Sequence, residues 1–224
     1  AKAAFARVGV AVLVELGLHN PLAASVGARG DSEMSLAEPL LARLPEKSLL
    51  IADRYYGVPK EVLRFRELYP KEDCHFLMRV RRNLRCRVLE AYADGSALVE
   101  IRSGGQPMRV REIRGRVGRG PHQASEVRLW TSLLDGRAHP AGVLLALYGR
   151  RWEHEGFYRE LKVDLRGAEL VQSHTPETAA QEIAAFLLGY AMLVEHRMKA
   201  AAAGQVPVLR ISFRQTLGVV RTLW

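Results

Sequence analysis

The sequence predicts an α/β core that is interrupted by an antiparallel, β-rich insertion. Residues 48–53 form a continuous apolar run ending on an acid, and a helical pattern at 59–69 and a strand pattern at 74–80 follow it. This order of strand, acid, helix and strand is typical of α/β proteins. From 81 to 123 the chain switches to short alternating stretches, and residues 126–135 return to the pattern of a buried strand. The middle segment is therefore predicted to be an insertion.

The first predicted elements are a β-hairpin and a helix. RVGVAVLVELGL, residues 7–18, is rich in β-branched side chains and meets a turn signal, His19-Asn20-Pro21, before the apolar run LAASVG. Asp31 and Ser32 offer caps for the helix EMSLAEPLLARL. Pro39 lies inside that stretch, so a later helix start is the alternative.

The core strand SLLIAD, residues 48–53, is expected to be buried on both faces, because its apolar side chains follow one another without alternation. It ends on Asp53. Pro59 then opens a helix that stops at Pro70, and CHFLMRV follows as the next strand.

Alternation marks the insertion as a small antiparallel sheet. Ala97, Val99 and Ile101 share one face of a strand, with polar residues mostly between them. Asp94-Gly95 and Gly104-Gly105 provide hairpin turns.

Helices complete the chain after the strand EVRLWTSLLD, in which Trp130 is expected to belong to the core. Pro140 starts a helical segment that reaches about Leu165, a second helix begins near Pro176, and a short one follows Pro207.

Basic charge is concentrated in the middle of the chain. The formal net charge is +9, and residues 79–128 carry twelve Lys or Arg against five Asp or Glu. All twelve are arginines, whose planar guanidinium suits phosphate. The 27 arginines and six lysines of the whole chain are equally compatible with a genome-wide composition habit. Such a habit does not explain the clustering, which predicts nucleic acid as the partner.

Membrane, secreted and zinc-binding proteins are disfavoured. The apolar stretch 184–194 is well short of the roughly 20 residues of a membrane span. Residues 1–18 do not resemble a secretory signal, so we expect a cytoplasmic protein without a membrane partner. Cys74 and Cys86 have no Cys/His cluster around them and are expected to be small buried hydrophobes.

The segment YGRRWEHEGFYRELK carries polar residues at helical spacing. On an α-helix turning about 100° per residue, Tyr148, Arg151, Glu155 and Lys162 fall within about 60° of one another, and Arg159 joins them. The other side is predicted to be an apolar, core-facing stripe. Its members are Val143, Ala146, Leu147, Phe157, Leu161 and Leu165.

This polar stripe suits phosphodiester chemistry, because a carboxylate can bind a divalent metal while the cations and the hydroxyl bind phosphates. Exposed helix faces also carry Arg and Glu at such spacings for solvation and weak ion pairing, worth about 0.2–0.5 kcal/mol per pair. Composition alone leaves both interpretations open.

The spacing of the motif favours the first interpretation. Tyr148, Arg151, Glu155 and Lys162 fit the pattern Y-(2)-R-(3)-E-(6)-K without a gap, which resembles the hallmark of the insertion-sequence-four-like branch of the DDE transposases. Four fixed residues at about 5% each match by chance at roughly one start in 10⁵. LLIADRYYG resembles the family's strand with the second catalytic aspartate, here Asp53, and LWTSLLD resembles the strand that leads to the catalytic helix.

The resemblance, which runs from about Arg7 to Arg197, implies a ribonuclease-H-like mixed sheet with flanking helices. It also implies two divalent ions, Mg²⁺ or Mn²⁺, held by an Asp, Asp, Glu triad to which Asp53 and Glu155 belong as catalytic metal ligands. Tyr148, Arg151 and Lys162 would bind phosphates near the transposon end. Arg159 and Arg54 are further DNA-binding candidates, with an ion-pair role as the alternative for Arg54.

The implied activity is DNA cleavage followed by strand transfer, in a homodimer that acts on double-stranded transposon ends and target DNA at the bacterial nucleoid. We divide the chain into the first part of the catalytic core (1–80), the Arg-rich β insertion (81–123) and the second part of the core with the catalytic and C-terminal helices (124–224).

One member of the triad is not assigned. The resemblance places the first aspartate on a strand before Ala1, and Asp31 is expected to be a helix cap and not that ligand. We therefore expect these 224 residues alone to be inactive. The alternatives are a ribonuclease-H-like nuclease without strand transfer, or a decayed remnant that only binds DNA.

Overall fold

A computed structural model describes residues 8–28, 30–70, 73–118, 124–167, 171–173 and 175–223. The chain forms two compact units. The sheet unit is Leu44–Arg151, and the hairpin unit comprises Ala1–Arg43 and Trp152–Trp224. Arg7, where the resemblance begins, Arg119 of the arginine cluster and the end of the predicted insertion at 119–123 lie outside the described residues.

The hairpin predicted near the start of the chain is confirmed. β1 (Gly9–Glu15) and β2 (Asn20–Gly27) pair antiparallel in a two-stranded sheet, and α1 (Glu33–Leu41) follows them. Pro39 lies within α1, so the alternative of a later helix start is wrong.

Ser32, not Asp31, caps α1. The Ser32 hydroxyl accepts the amide of Ser35 at 3.0 Å, which satisfies one of the free N–H groups of the first turn. The Asp31 carboxylate instead accepts the amide of Ala28 at 2.8 Å and closes the preceding turn. The prediction of Asp31 as the cap is therefore wrong, because the side chain bonds backward along the chain.

The sheet unit is built on one six-stranded sheet. Its strands are β3 (Leu49–Gly57), β4 (His75–Val80), β5 (Arg87–Ala91), β6 (Ala97–Ser103), β7 (Gln106–Val117) and β8 (Ser125–Thr131), in the spatial order β3-β4-β8-β7-β6-β5. β3 and β4 are parallel, and the other neighbouring pairs are antiparallel. This mixed sheet with its flanking helices confirms the predicted α/β class and agrees with a ribonuclease-H-like fold.

Two helices, α2 (Pro59–Leu68) and α3 (Ala141–Gly149), cover opposite faces of this sheet. Leu50 of β3 packs in the same cluster as Phe65 of α2. Its neighbour Ile51 packs in the other cluster, with Leu144 of α3. Adjacent strand residues point to opposite faces, so β3 is packed on both sides, as its continuous apolar run predicts.

The strands of the predicted insertion continue this same sheet, because β7 pairs with β8 along seven residues. Gly104 and Gly105 form the two-residue turn between β6 and β7 with positive φ angles of 55° and 85°, which is the geometry that favours glycine there. Both predicted hairpin turns are present. The three-part division of the chain stays a prediction.

Some of the clustered arginines serve the interior and not a partner. Arg111 is fully buried, where its guanidinium donates to Ser96 and to the carbonyl of His139. Arg128 is buried beside Glu112, and its Nε donates to that carboxylate at 2.7 Å. Clustering in sequence therefore overstates the number of cations available to phosphate.

The Glu112 carboxylate is the centre of a buried polar group. It accepts Arg128, and its Oε2 also accepts the indole N–H of Trp130 at 3.0 Å. Trp130 is fully buried, as predicted. Cys74 is buried too, but Cys86 is only half-buried and its thiol donates to Glu112, so Cys86 is not a simple buried hydrophobe.

The predicted helix from Pro140 to Leu165 is present, but its winding changes along its length. A 3₁₀ turn (Arg150–Trp152) follows α3, then α4 (Glu153–Arg159), then a π-helical segment (Glu160–Leu165). A single rotation of about 100° per residue therefore does not describe it.

The buried face of α3 differs from the predicted apolar stripe. Ala141, Leu144 and Tyr148 are buried, whereas Val143 is 61% exposed. The stripe prediction is wrong here because the aromatic ring of Tyr148 packs into the core, with Leu144 one turn before it.

The hairpin unit has its own core, built around α5 (Pro176–Gly204) and α6 (Phe213–Leu223), which confirm the last two predicted helices. Tyr190 of α5 stacks on Phe213 with ring centroids 4.8 Å apart and meets Phe157 of α4 edge-on at 5.0 Å. None of the helices in the described ranges combines the length and the apolar content that a membrane crossing requires.

Asp94, in the turn between β5 and β6, joins Arg111 to the start of α3. Its Oδ2 accepts Arg111 Nη2 at 2.5 Å and the Ala141 amide at 2.9 Å. Hydrogen bonding from Ser96, together with the other donors and the Arg111 charge, lowers the pKa of Asp94 from 3.8 to about 2. Because the pKa of Asp94 is lower in the folded state than in the unfolded state, its ionised carboxylate stabilises the fold fully above pH 3.8. This stabilisation is lost as the pH falls to about 2.

We expect Asp94→Asn to lower the free energy of unfolding at neutral pH by about 2 kcal/mol, because it leaves buried Arg111 without its counter-charge. The variant should also lose less stability than the wild type between pH 3.8 and about 2. Urea unfolding across that pH range measures both effects. Glu126→Gln, in the exposed pair with Arg82, is the control and should cost less than about 0.5 kcal/mol. Parallel stability curves for wild type and Asp94→Asn would contradict the assignment.

Candidate active site

Asp53 lies where β3 leaves its ladder with β4. Residues 49–52 pair in register with 75–78, and pairing resumes only at Gly57, opposite Val80. Gly57 is required at that point, because an added Cβ would overlap the Arg79 carbonyl oxygen. The break leaves the intervening residues, Asp53 among them, outside the regular pairing.

The Asp53 side chain is oriented by its own backbone. Its Oδ1 accepts the amide of Tyr55 at 2.8 Å, two residues further on, which is the local hydrogen bond of an Asx turn. The side chain is half-buried, whereas the adjacent Arg54 is exposed. A carboxylate that is fixed in direction but reachable suits a ligand for a hard divalent ion.

In the sheet unit, the Tyr148 hydroxyl lies within electrostatic range of Arg151, Arg79 and Asp53. Burial is the largest influence on the Tyr148 hydroxyl and raises its pKa. The Arg151 and Arg79 guanidinium groups oppose that rise, while the Asp53 carboxylate adds to it. Three of the predicted site residues, Asp53, Tyr148 and Arg151, are thus neighbours in one unit.

The Tyr148 hydroxyl is buried, and within the described ranges no group forms a hydrogen bond of good geometry with it, although the Arg151 guanidinium is near enough to lower its pKa. A buried hydroxyl without a partner costs roughly 1–3 kcal/mol. Tyr148 is 4% exposed, so a phosphate could reach the hydroxyl only after the groups that cover it move.

Arg79 is a candidate site residue that the motif does not reveal. It belongs to β4, and the parallel pairing of β3 and β4 places it at the edge of the sheet where both strands end. We call this the carboxyl edge. The only sequence signal for Arg79 is its membership of the arginine cluster, which does not separate it from buried Arg111.

The register of the other strands continues the carboxyl edge. Ile113 and Leu129 lie level with Arg79, so the residues of β7 that follow Ile113 lie at this edge. Its exposed cations are Arg54, Arg81, Arg82, Arg114 and Arg116. Arg102, which pairs with Pro107, lies at the opposite edge of the sheet.

The remaining predicted residues belong to the hairpin unit. Glu155 is exposed on α4. Arg159, at the end of α4, is exposed and lies 3.9 Å from Asp164. The exposed Lys162 places its ammonium 4.9 Å from the centroid of the Tyr158 ring. Arg159 and Lys162 therefore have contacts within the chain that a phosphate ligand would have to replace or share.

The carboxylates of Asp53 and Glu155 have the oxygen ligands that Mg²⁺ and Mn²⁺ prefer. Across the described ranges, no three His, Cys, Asp or Glu side chains come together in a group able to hold a metal ion. The two carboxylates fit as part of a ligand set, and their sharing of a metal stays a prediction.

Known proteins with similar sequences point to one family. Residues 2–192 match the family model described as "Transposase DDE domain". The chain is also 28% identical over 227 residues to the transposase InsG for insertion sequence element IS4 of Escherichia coli strain K12, covering 97% of this chain and 50% of that protein. It therefore spans about half the length of that curated relative. Since the family model matches well over half of its residues, the chain belongs to the transposase DDE domain family.

Proposed function

We propose that this chain is part of the catalytic core of a DNA transposase that cleaves insertion-sequence ends and joins them to target DNA. The observation that carries the proposal is the neighbourhood of Asp53, Tyr148, Arg151 and Arg79 in the sheet unit of a chain from this family. A carboxylate beside two guanidinium groups and a hydroxyl can serve both a metal ion and the phosphate next to it.

Enzymes of this family generally use divalent metal ions. We propose that Asp53 and Glu155 are ligands of a shared metal pair, with a further aspartate of the triad that is not assigned within this chain. When bound, such a pair activates water or a 3′-hydroxyl and stabilises the leaving oxygen.

The cationic and hydroxyl side chains would act on the phosphate. The Arg151 and Arg79 guanidinium groups stabilise negative charge on its oxygens, and the Tyr148 hydroxyl donates a hydrogen bond to one of them. Lys162, Arg159 and Arg54, which are exposed, would bind the flanking DNA backbone. We further propose a homodimer in the bacterial cytoplasm, because paired ends require two active sites.

Substitution of the metal ligands tests the reaction. In the protein as its gene encodes it, Asp53→Asn and Glu155→Gln should each lower end cleavage by more than about 10²-fold, because each removes a charged metal ligand. The controls are the exposed Asp73→Asn in the sheet unit and Glu195→Gln in the hairpin unit, which should retain wild-type rates.

The assay uses labelled end DNA, target plasmid and Mn²⁺, and it scores cleaved and joined products separately. Cleavage without joined product would favour a nuclease over a transposase. Full activity in either metal-ligand variant would contradict its assignment.

Tyr148→Phe separates a functional hydroxyl from a structural one. The hydroxyl has no hydrogen bond of good geometry within the described ranges, so its removal should leave the melting temperature unchanged or higher. If the hydroxyl binds a phosphate oxygen, cleavage should fall by about tenfold, which corresponds to the loss of one hydrogen bond to a charged group. An unchanged cleavage rate would refute the phosphate contact.

The salt dependence of DNA binding tests the carboxyl edge. Arg116→Ala should weaken binding to all sequences and reduce the slope of log K against log salt by about 1, as expected for one lost phosphate contact. Arg102→Ala is the matched control, since Arg102 is exposed on the same sheet but at the opposite edge. Equal slopes for both variants would show that DNA does not follow the carboxyl edge.

A further inference from the structure

The turn between β1 and β2 holds one side of α4. We call residues 15–20 the bracing turn. The Gly17 amide donates to Glu153 Oε2 at 2.7 Å, and His19 Nδ1 lies 2.9 Å from Glu160 Oε2. Between these two bonds, His19 packs closely on Gly156, because a Cβ added to Gly156 would lie 3.0 Å from the Cε1 of His19. Three points along one helical segment are therefore fixed by one turn.

The bracing turn contacts Glu153, Gly156 and Glu160 but not the side of the helix that carries Glu155. Within α4, which winds at about 100° per residue, Gly156 lies about 60° from Glu153, whereas Glu155 lies about 200° from Glu153 and about 100° from Gly156. Glu155 is exposed, in agreement with this geometry. A helix fixed at the back can turn or shift little, so it presents a residue on its front in a constant direction.

The turn is itself held in an uncommon backbone conformation. His19 has a φ of 61° and is 6% exposed, and its amide donates to the Glu15 carbonyl at 3.0 Å. Residues other than glycine rarely adopt positive φ, and they keep it where the surroundings impose it. His19 Nε2 is buried without a hydrogen-bond partner in the described part of the chain. These features are better explained by a requirement for contact with α4 than by local turn preference.

Glu160, to which His19 is bonded, is anchored a second time by α5. The Tyr190 hydroxyl donates to Glu160 Oε2 at 2.5 Å, and Arg197 Nη1 lies 3.4 Å from the same oxygen. Burial opposes ionisation of Glu160, but the bonds from His19 and Tyr190 and the Arg197 charge lower its pKa overall. The bracing turn, the π-helical segment and α5 therefore meet at one ionised carboxylate.

We propose that the bracing turn positions Glu155, with Gly17 and His19 acting through Glu153, Gly156 and Glu160. This inference rests on the proposed role of Glu155 as a metal ligand. The groups of the turn touch neither the metal nor the DNA. They keep α4 in one orientation, so that the Glu155 carboxylate meets the metal without a further ordering cost.

Glu153 provides the first test. Glu153→Ala removes the acceptor of the Gly17 amide, whereas Glu153→Gln keeps an oxygen there. In the full gene product, Glu153→Ala should speed amide hydrogen exchange in residues 153–160 at least tenfold and weaken Mn²⁺ binding in calorimetry by about 10–100-fold. It should lower kcat for end cleavage by a similar factor, with KM for DNA unchanged. Glu153→Gln should restore most of each quantity, and Glu195→Ala, at an exposed position of α5, should change none.

Gly156 provides a second test that does not remove a hydrogen bond. Gly156→Ala should lower kcat about tenfold, although alanine favours the helix, because the new methyl meets His19. His19→Asn keeps a donor near the Nδ1 position and tolerates positive φ. The shorter side chain should make room for the methyl, so the double variant should recover activity relative to Gly156→Ala.

The outcomes separate this proposal from the proposed function. Loss of Mn²⁺ binding and cleavage in Glu155→Gln, together with wild-type exchange, metal affinity and kcat in Glu153→Ala, would overturn the bracing role alone. Equal losses in Glu153→Ala and Glu153→Gln would overturn it as well. Wild-type Mn²⁺ affinity and cleavage in Glu155→Gln would instead refute the proposed function of Glu155.

Discussion

The break in the β3–β4 ladder is the constraint on which the proposed chemistry depends. A carboxylate inside a regular, doubly covered strand would be sealed between apolar layers, and its burial without a partner would be costly. Because pairing stops after Ala52 and resumes at Gly57, Asp53 stays half-buried while Leu50 and Ile51 keep the strand anchored on both faces. The same packing holds Arg79 and Tyr148 near this carboxylate. The regular part of the sheet thus fixes the position of Asp53, and the irregular segment leaves its carboxylate accessible to a metal ion.

Charged groups have two distinct uses in this chain. Glu112 with Arg128, and Glu160 with Arg197, are buried carboxylate–guanidinium pairs, and His19 bonds to Glu160 in the second. Removing one partner from such a pair leaves a charge that water cannot reach. The cations of the carboxyl edge are instead exposed, and among them Arg82 and Arg114 form ion pairs with Glu126 and Glu112 that a phosphate would have to replace or share. Burial, and not residue type, separates the arginines of the fold from those that we assign to DNA.

Much of the fold could be predicted from local pattern. Backbone chemistry predicts several element boundaries, at Pro59, Pro176 and the Gly104-Gly105 turn. The continuous apolar run of β3 predicts packing on both faces of that strand. The change of winding between α3 and the π-helical segment could not be read from residue spacing, because spacing assumes one rotation per residue along the whole helix. For the site, the motif identifies Tyr148, Arg151 and Glu155, but Arg79 and the bracing turn depend on strand register and on contacts distant in sequence.

We propose that Asp53 and Glu155 share one pair of metal ions. Anomalous scattering from crystals of the full gene product with end DNA and Mn²⁺ tests it directly. We expect two manganese peaks about 3.5–4 Å apart, with oxygens of both carboxylates within about 2.2 Å of the pair. Manganese bound to only one of the two carboxylates, or to neither, would contradict it.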